Sequence, residues 1–236
     1  MHLHIPDGVL PIWLWVTGFI VLAIFLIPVL LKIRKQLNVV PRAAMTIALI
    51  LVIMSIPLGL PIHLNLLALA GILVGPWWSL VVAFLTNLVL ALLGHGGFTV
   101  IGLNTLNLWI QALAGFFLFN LFARLIPKSL CDRDPGLKGL GTKKSGVSAG
   151  LAAFIGLALS FLFTVFLIVI SKVGPGEFLH LHEGVEEVGH LEMSLPTFLK
   201  ISLPFISLGI IVESFVTAFI VQFIKKVKPD LLTFRK

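Results

Sequence analysis

A series of long apolar runs constrains the fold of this chain more than any other feature. An α-helix needs roughly 20 apolar residues to cross a bilayer core about 30 Å thick. The chain is 58% hydrophobic and 11% charged, more apolar surface than a soluble domain of 236 residues can bury. The sequence therefore predicts an all-α integral membrane protein, with apolar runs at Ile12–Ile33, Ala43–Leu60, Ser79–Gly94, Thr105–Ile126, Val147–Ser171 and Phe198–Ile224.

A shorter apolar run, Leu64–Val74, ends at Gly75-Pro76. It is either a short tilted span or a re-entrant helix buried in protein. Basic residues favour the cytoplasmic side of a membrane, and most of them share one side only if this run crosses. We therefore expect about seven transmembrane helices, with the N-terminus outside and the C-terminus cytoplasmic. The basic residues on the inner side are Lys32, Arg34, Lys35, Arg42, Arg124, Lys128, Arg133, Lys138, Lys143, Lys144, Lys225, Lys226, Lys228, Arg235 and Lys236.

The spans are expected to form a single membrane-embedded domain over residues 1–236. It has a short N-terminal segment at 1–10, a cytoplasmic loop at about 127–145 and an outer loop at about 172–197. The net charge of +7 is the inner-face bias of a membrane protein, and no basic stripe with interleaved aromatic residues suggests nucleic acid. Cys131 is the single cysteine, so no intrachain disulfide forms. No basic residue precedes the first apolar run, so a signal peptide is not expected.

All histidines of the chain fall on the predicted outer side of the membrane. Two of them lie within four residues of the amino terminus, and three lie in the outer loop among five glutamates. This loop either pre-concentrates cations or is a solvated, variable segment. The pattern favours capture of a transition-metal ion, and the histidines are His2, His4, His63, His95, His180, His182 and His190.

The N-terminus itself is a candidate metal chelate. The α-amine of Met1, the main-chain amide nitrogen of His2 and Nδ1 of His2 can close two fused rings in one plane. Ni(II) or Cu(II), which favour square-planar nitrogen ligands, can displace the amide proton. His63 is the candidate for one further imidazole, and binding would strengthen as the pH rises because it releases protons. In the alternative interpretation, His4 is solvated, His63 bonds a loop carbonyl and His95 occupies a glycine turn.

Polar residues inside or beside the spans add further candidates. Asn104 and Asn107 are of the types that cap helices or support metal ligands from behind, and Asn65 is a further candidate for such support. Glu213 is the one charged residue deep inside a predicted span. It acts as a relay or a polar link to a partner subunit, or it fixes helix packing through a hydrogen bond. Small residues at 146, 149, 150 and 153 favour close packing, either internal or against another subunit.

Several motifs along nearly the whole chain together resemble one family. The chain is similar to the substrate-binding membrane subunits of nickel/cobalt energy-coupling-factor transporters, the CbiM/NikM group. The motifs that carry the resemblance occur in the order of that family. They are His4-Ile5-Pro6-Asp7-Gly8, His63-Leu64-Asn65, Gly75-Pro76-Trp77, Gly94-His95-Gly96-Gly97, Gly102-Leu103-Asn104-Thr105-Leu106-Asn107, Glu213 with Val216-Thr217-Ala218, and Val227-Lys228-Pro229-Asp230-Leu231-Leu232.

The resemblance implies that Met1, His2 and His63 hold the metal ion. Family members commonly begin Met-His-Ile-x-x-Gly, which matches the run from His4, whereas the amine chemistry favours His2. We choose His2, because only this histidine forms the compact chelate with a free amine. His4 and His95 are the fallback ligands.

The predicted function is that of a substrate-capture subunit for Ni(II) or Co(II) in a prokaryotic plasma membrane. The resemblance implies a coupling membrane subunit of CbiQ/NikQ type, ATPase subunits of CbiO/NikO type and often a small accessory subunit of CbiN/NikN type. No ATP is expected on this chain, because Lys does not follow Gly141 directly as a phosphate loop requires. The alternatives are a stand-alone divalent-metal permease and a membrane-embedded metalloenzyme, which needs a water-activating metal and a general base.

Overall fold

The protein is an assembly of long helices. The structure, a computed structural model, describes residue 8 and residues 10–55, 64–94, 97–126, 142–173 and 194–232. Within these ranges six helices are long and apolar enough to cross a membrane. The prediction of an all-α integral membrane protein is therefore confirmed. The helices are α1 (Ile12–Ile33), α2 (Val40–Met54), α3 (Leu67–Leu92), α4 (Ile101–Leu125), α5 (Thr142–Ser171) and α6 (Leu195–Val227), with 3₁₀ turns at Leu37–Val39 and Pro229–Leu232.

The helix ends differ from the apolar runs in a consistent way. α1 has the predicted bounds, but α5 and α6 both begin earlier than their apolar runs. Residues 142–145 of the predicted cytoplasmic loop and residues 195–197 of the predicted outer loop are helical, which corrects both loop boundaries. An apolar run marks the stretch that lipid solvates, whereas the backbone hydrogen bonds of a helix can continue beyond it, as at Lys143 and Lys144 in the first turn of α5.

The short apolar run 64–74 joins the following span in α3. The junction is Gly75, whose backbone is non-helical with φ 85° and ψ 173°. Only glycine adopts this conformation readily, and Pro76 then begins the second part of the helix with φ already fixed. The first part, residues 67–74, is too short to span a bilayer, so the described residues contain six helices of spanning length, one of them interrupted at Gly75. This is roughly consistent with the prediction of about seven.

The second part of α3 runs back from the end of α1. The Lys32 ammonium lies 4.5 Å from the centroid of the Trp77 ring, and Trp78 Nε1 donates to Gln36 Oε1 at 3.1 Å. Near the other end of α3, Asn87 Nδ2 donates to Thr105 Oγ1 near the start of α4 at 3.3 Å. Trp77 lies on the side of the membrane where α1 ends. Because consecutive spans alternate in direction, α2 ends on the opposite side. The chain therefore crosses between the end of α2 and Trp77. This agrees with the crossing inferred from the basic residues.

Small residues bring the helices into backbone contact. A Cβ atom added to Gly71 would collide with the main-chain oxygen of Ala112, and one added to Gly115 would collide with that of Ala68. The backbones of α3 and α4 therefore approach each other closely at these glycines, as is common in membrane bundles.

The small-residue face of α5 is internal. Cβ atoms added to Gly146 and Gly150 would lie 3.1 Å from the main-chain oxygen and 3.2 Å from Cβ of Ala218 on α6. Ala149 and Ala153 are fully buried. Of the two alternatives that the sequence left open for this face, the structure shows packing within the chain.

Candidate functional site

A buried polar cluster joins three helices at the middle of the bundle. We call Asn65, Gln111 and Glu213 the central polar cluster. Asn65 precedes α3, Gln111 lies near the middle of α4 and Glu213 lies near the middle of α6. All three residues have 0% relative exposure. Polar groups at this depth persist only when they are hydrogen-bonded, because lipid offers no replacement for water.

The Glu213 carboxylate accepts hydrogen bonds from the start of α3. The main-chain N–H of Leu66 donates to Oε1 at 2.9 Å, and that of Asn65 donates to Oε2 at 3.3 Å. Gln111 Nε2 donates to Oε1 at 3.2 Å. The first amides of a helix lack partners within it, and its N-terminus carries partial positive charge. A carboxylate supplies both the acceptors and the complementary charge.

The side chains of Asn65 and Gln111 form a reciprocal amide pair. Asn65 Nδ2 donates to Gln111 Oε1 at 3.0 Å, and Gln111 Nε2 donates to Asn65 Oδ1 at 2.7 Å. Asn65 Oδ1 also accepts the main-chain N–H of Leu67 at 3.0 Å. Two facing amides can satisfy each other in this way, so the pair holds the segment before α3 against α4.

Leu66 has a left-handed backbone within this cluster. Its φ is 51° and its ψ is 24°, a conformation that is uncommon for residues other than glycine and costs on the order of 1–3 kcal/mol. This turn accompanies the placement of two successive N–H groups on one carboxylate, an arrangement typical of anion-binding backbone. The hydrogen bonds to Glu213 offset the strain, so the carboxylate and the turn depend on each other.

A second polar cluster joins α4 to α5. Ser160 Oγ donates to Asn107 Oδ1 at 2.8 Å, and Asn107 Nδ2 donates to Thr164 Oγ1 at 2.9 Å. Asn104 is also buried. The interpretation of Asn104 or Asn107 as a helix cap is wrong, because α4 begins at Ile101 after the cap residue Val100. Both asparagines lie inside the helix, and the amide of Asn107 links it to α5.

The predicted metal ligands fall outside the described residues. These are Met1, His2 and His63, together with the fallback ligands His4 and His95. Across the described ranges, no three His, Cys, Asp or Glu side chains group as metal ligands do. The structure does place the predicted supporting residue Asn65, which stands two residues after His63 in the chain, in the central polar cluster.

Sequence reasoning singled out Glu213 and Asn65 but missed Gln111. Gln111 is an amide in the middle of the apolar run 105–126. The argument that an intramembrane carboxylate must have a partner applies to an uncharged amide too, at lower cost. By this argument, Gln111 is a candidate hydrogen-bond partner for Glu213. The αL turn at Leu66 has no signal in a sequence, since leucine does not favour it.

Comparison with known proteins places the chain among metal transporters. Residues 4–231 match the model of the family CbiM, described as the cobalt uptake substrate-specific transmembrane region. A putative metal transport protein of Haemophilus influenzae is 31% identical over 72% of this chain and 84% of its own length. The cobalt transport protein CbiM of Sorangium cellulosum is 25% identical over 98% of this chain and 94% of its own. The fused nickel transport protein NikMN of Rhodobacter capsulatus is 27% identical over 99% of this chain and 65% of its own.

Solved structures share the fold. The crystal structure of a truncated transition metal transporter superposes with a TM-score of 0.65 at 21% identity, covering 96% of this chain and 98% of that one. A second transition metal transporter superposes with a TM-score of 0.61 at 23% identity, covering 95% and 93%. The family match spans nearly the whole chain, residues 4–231, so this protein belongs to the CbiM family of metal-transport membrane proteins.

Proposed function

We propose that this chain is the substrate-capture membrane subunit of an ATP-driven uptake system for nickel or cobalt ions. The observation that carries the proposal is the family match over residues 4–231. Relatives that cover nearly all of this chain are named for cobalt and for nickel, which supports either ion as the substrate. The family is one of metal transport, and the chain catalyses no bond chemistry.

The proposed metal site uses the α-amine of Met1, the amide nitrogen and imidazole of His2, and the imidazole of His63. These nitrogens suit Ni(II) and Co(II), whose preference for nitrogen ligands exceeds that of the harder cations. The site lies on the outer face of a prokaryotic plasma membrane. The family match begins at residue 4, so it includes His4 and leaves out Met1 to Leu3. An experiment must therefore separate His2 from His4.

The energy for uptake comes from other chains. We propose a coupling membrane subunit and a pair of ATPase subunits as partners, because a capture subunit needs a source of work to release its ion inward. The Rhodobacter capsulatus relative is named as a fused protein, and this chain matches 65% of its length. This supports a further accessory component.

The test is the metal content of the purified chain with a native N-terminus, measured by mass spectrometry after incubation with Ni(II) or Co(II). The proposal predicts about one metal ion per chain, lost when one residue is added before Met1 and lost in His63→Ala. A third variant lacks Met1 and His2 and carries methionine in place of Leu3. Its α-amine therefore stands directly before His4 and tests that histidine as the ligand. If the extended chain binds as well as the native one, the amine chelate is wrong and a site of His4, His63 and His95 replaces it.

A further inference from the structure

Glu213 lies near the middle of α6, and its hydrogen bonds reach two residues that follow the proposed metal ligand His63 in the chain. The carboxylate holds the main-chain N–H groups of Asn65 and Leu66. His63 stands two residues before Asn65 in the chain and is outside the described residues. The hydrogen bonds of α6 therefore hold the backbone that follows this ligand in sequence.

We propose that Glu213 is a positioning residue for metal capture. It fixes the start of α3, and through it His63, so that the imidazole is already placed when the ion arrives. This inference rests on the proposed function, because it assumes that His63 binds the metal. A preorganised ligand binds more tightly than a free one, because the conformational entropy of ordering it is lost before binding.

The geometry supports positioning over simple packing. Glu213 contacts main-chain atoms, so its effect falls on the backbone path rather than on one neighbouring side chain. The left-handed turn at Leu66, with φ 51°, needs such a constraint. The Asn65–Gln111 amide pair fixes the same residues from α4. Three helices thus determine the direction in which the chain enters α3.

The same contacts link metal capture to the position of α6. Any displacement of α6 that moves Glu213 removes the acceptor from Asn65 and Leu66. The backbone before α3 then loses these two hydrogen bonds.

The primary variant is Glu213→Gln, which keeps the size of the side chain. One carboxylate oxygen becomes an NH₂ group that faces a main-chain N–H, so one of the two backbone hydrogen bonds is lost. The matched control is Thr217→Val, one turn further along α6. Thr217 is fully buried, and its hydroxyl has no hydrogen-bond partner among the described residues.

Two quantities are measured on the full chain with its native N-terminus. The first is the affinity for Ni(II) and Co(II) from competition titration. The second is amide hydrogen exchange in the peptide that contains Asn65 and Leu66. Loss of a supporting contact behind a metal ligand typically weakens affinity by about 10–100-fold. We expect Glu213→Gln to lose about tenfold or more with faster exchange in this peptide, while Thr217→Val matches the wild type in both.

Three outcomes separate this inference from the proposed function. Weaker binding and faster exchange confined to this peptide support the inference. Binding of Glu213→Gln equal to that of a metal-binding wild type overturns the inference and leaves the proposed function in place. A wild type that binds neither metal overturns both. If Glu213→Gln fails to fold, Glu213→Asp keeps the charge and withdraws the carboxylate by one methylene, and the same loss of affinity is expected.

Discussion

Helices α1 and α3 are both strongly apolar, yet they have opposite surroundings. The most apolar stretch of α1 has a mean hydropathy of 2.7 and is 28% buried, whereas that of α3 has a mean hydropathy of 2.0 and is 72% buried. The more apolar helix is the more exposed one. In a membrane protein lipid solvates apolar side chains as well as protein does, so hydropathy does not determine burial.

Small and polar residues distinguish the two helices instead. α3 places Gly71 against α4 and buries Ser79, Thr86 and Asn87. α1 exposes large apolar side chains such as Ile24, at 61% exposure. Polar groups avoid lipid and glycine permits close approach, so these residues select the helix that becomes central. Substitutions in the two environments test this difference, from the largest expected effect to the smallest.

The largest effect is expected from Gly71→Val. Any side chain at this position collides with the backbone of Ala112, and neither backbone can move without separating α3 from α4. We expect a loss of more than about 4 kcal/mol in the free energy of unfolding, the range of exceptional core defects. Denaturant unfolding in micelles measures it. Ala48→Val on the exposed face of α2 is the control, and equal stability of the two variants would contradict the account.

A smaller but still large effect is expected from Glu213→Leu. The change removes the acceptor of the Asn65 and Leu66 N–H groups. A buried donor left without a partner costs about 1–3 kcal/mol, so the unfolding free energy should fall by about 2–5 kcal/mol. Val212→Leu, beside it on the exposed face of α6, should be close to neutral. A Glu213→Leu protein as stable as the wild type would show that the carboxylate does not support the start of α3.

An intermediate effect is expected from Asn107→Leu. The variant loses two hydrogen bonds between α4 and α5. Interhelical hydrogen bonds in membranes contribute about 0.6–2 kcal/mol each, and Thr164 keeps its bond to the Ser160 carbonyl. We expect a loss of about 1–3 kcal/mol in the same unfolding assay. A loss as large as that of Gly71→Val would mean that the second cluster, rather than glycine contact, dominates the centre.

The smallest effect is expected from Thr217→Val. The variant has nearly the same shape and removes a buried hydroxyl that has no partner in the described part of the chain. Burying such a group without a hydrogen bond is unfavourable. The unfolding free energy should stay within about 0.5 kcal/mol of the wild type or rise slightly. A clear loss of stability would indicate that this hydroxyl has a role.

The sequence predicts much of the fold because lipid imposes a simple rule. Apolar runs mark the spans, and basic residues mark the side. The rule does not indicate which helix is central, since that depends on pairs of small residues far apart in the chain. Gly71 and Ala112 contact each other only after α3 and α4 have packed. The rule likewise misses that residues 67–74 and 76–92 form one interrupted helix, because Gly75-Pro76 fits either a loop or a break.

The candidate site is predictable only in part. Glu213 and Asn65 are conspicuous as polar residues beside or within apolar runs, and the structure brings them together at 3.3 Å between Oε2 and the main-chain nitrogen. Their geometry depends on the left-handed turn at Leu66, which no residue preference indicates. The residue type of the asparagines in α4 predicts a cap or a supporting residue, and the helix start at Ile101 excludes the first role.

The most direct test of the account is the number of protons that the native chain releases when it binds Ni(II) or Co(II). Calorimetry at pH 7 in buffers of different ionisation enthalpy measures it. From ordinary pKa values, a site made of an α-amine, a deprotonated amide and two imidazoles releases about two protons per metal ion. A site of imidazoles alone releases less than about one. Release of about two protons supports the N-terminal chelate of Met1 and His2 with His63, and release of less than one contradicts it.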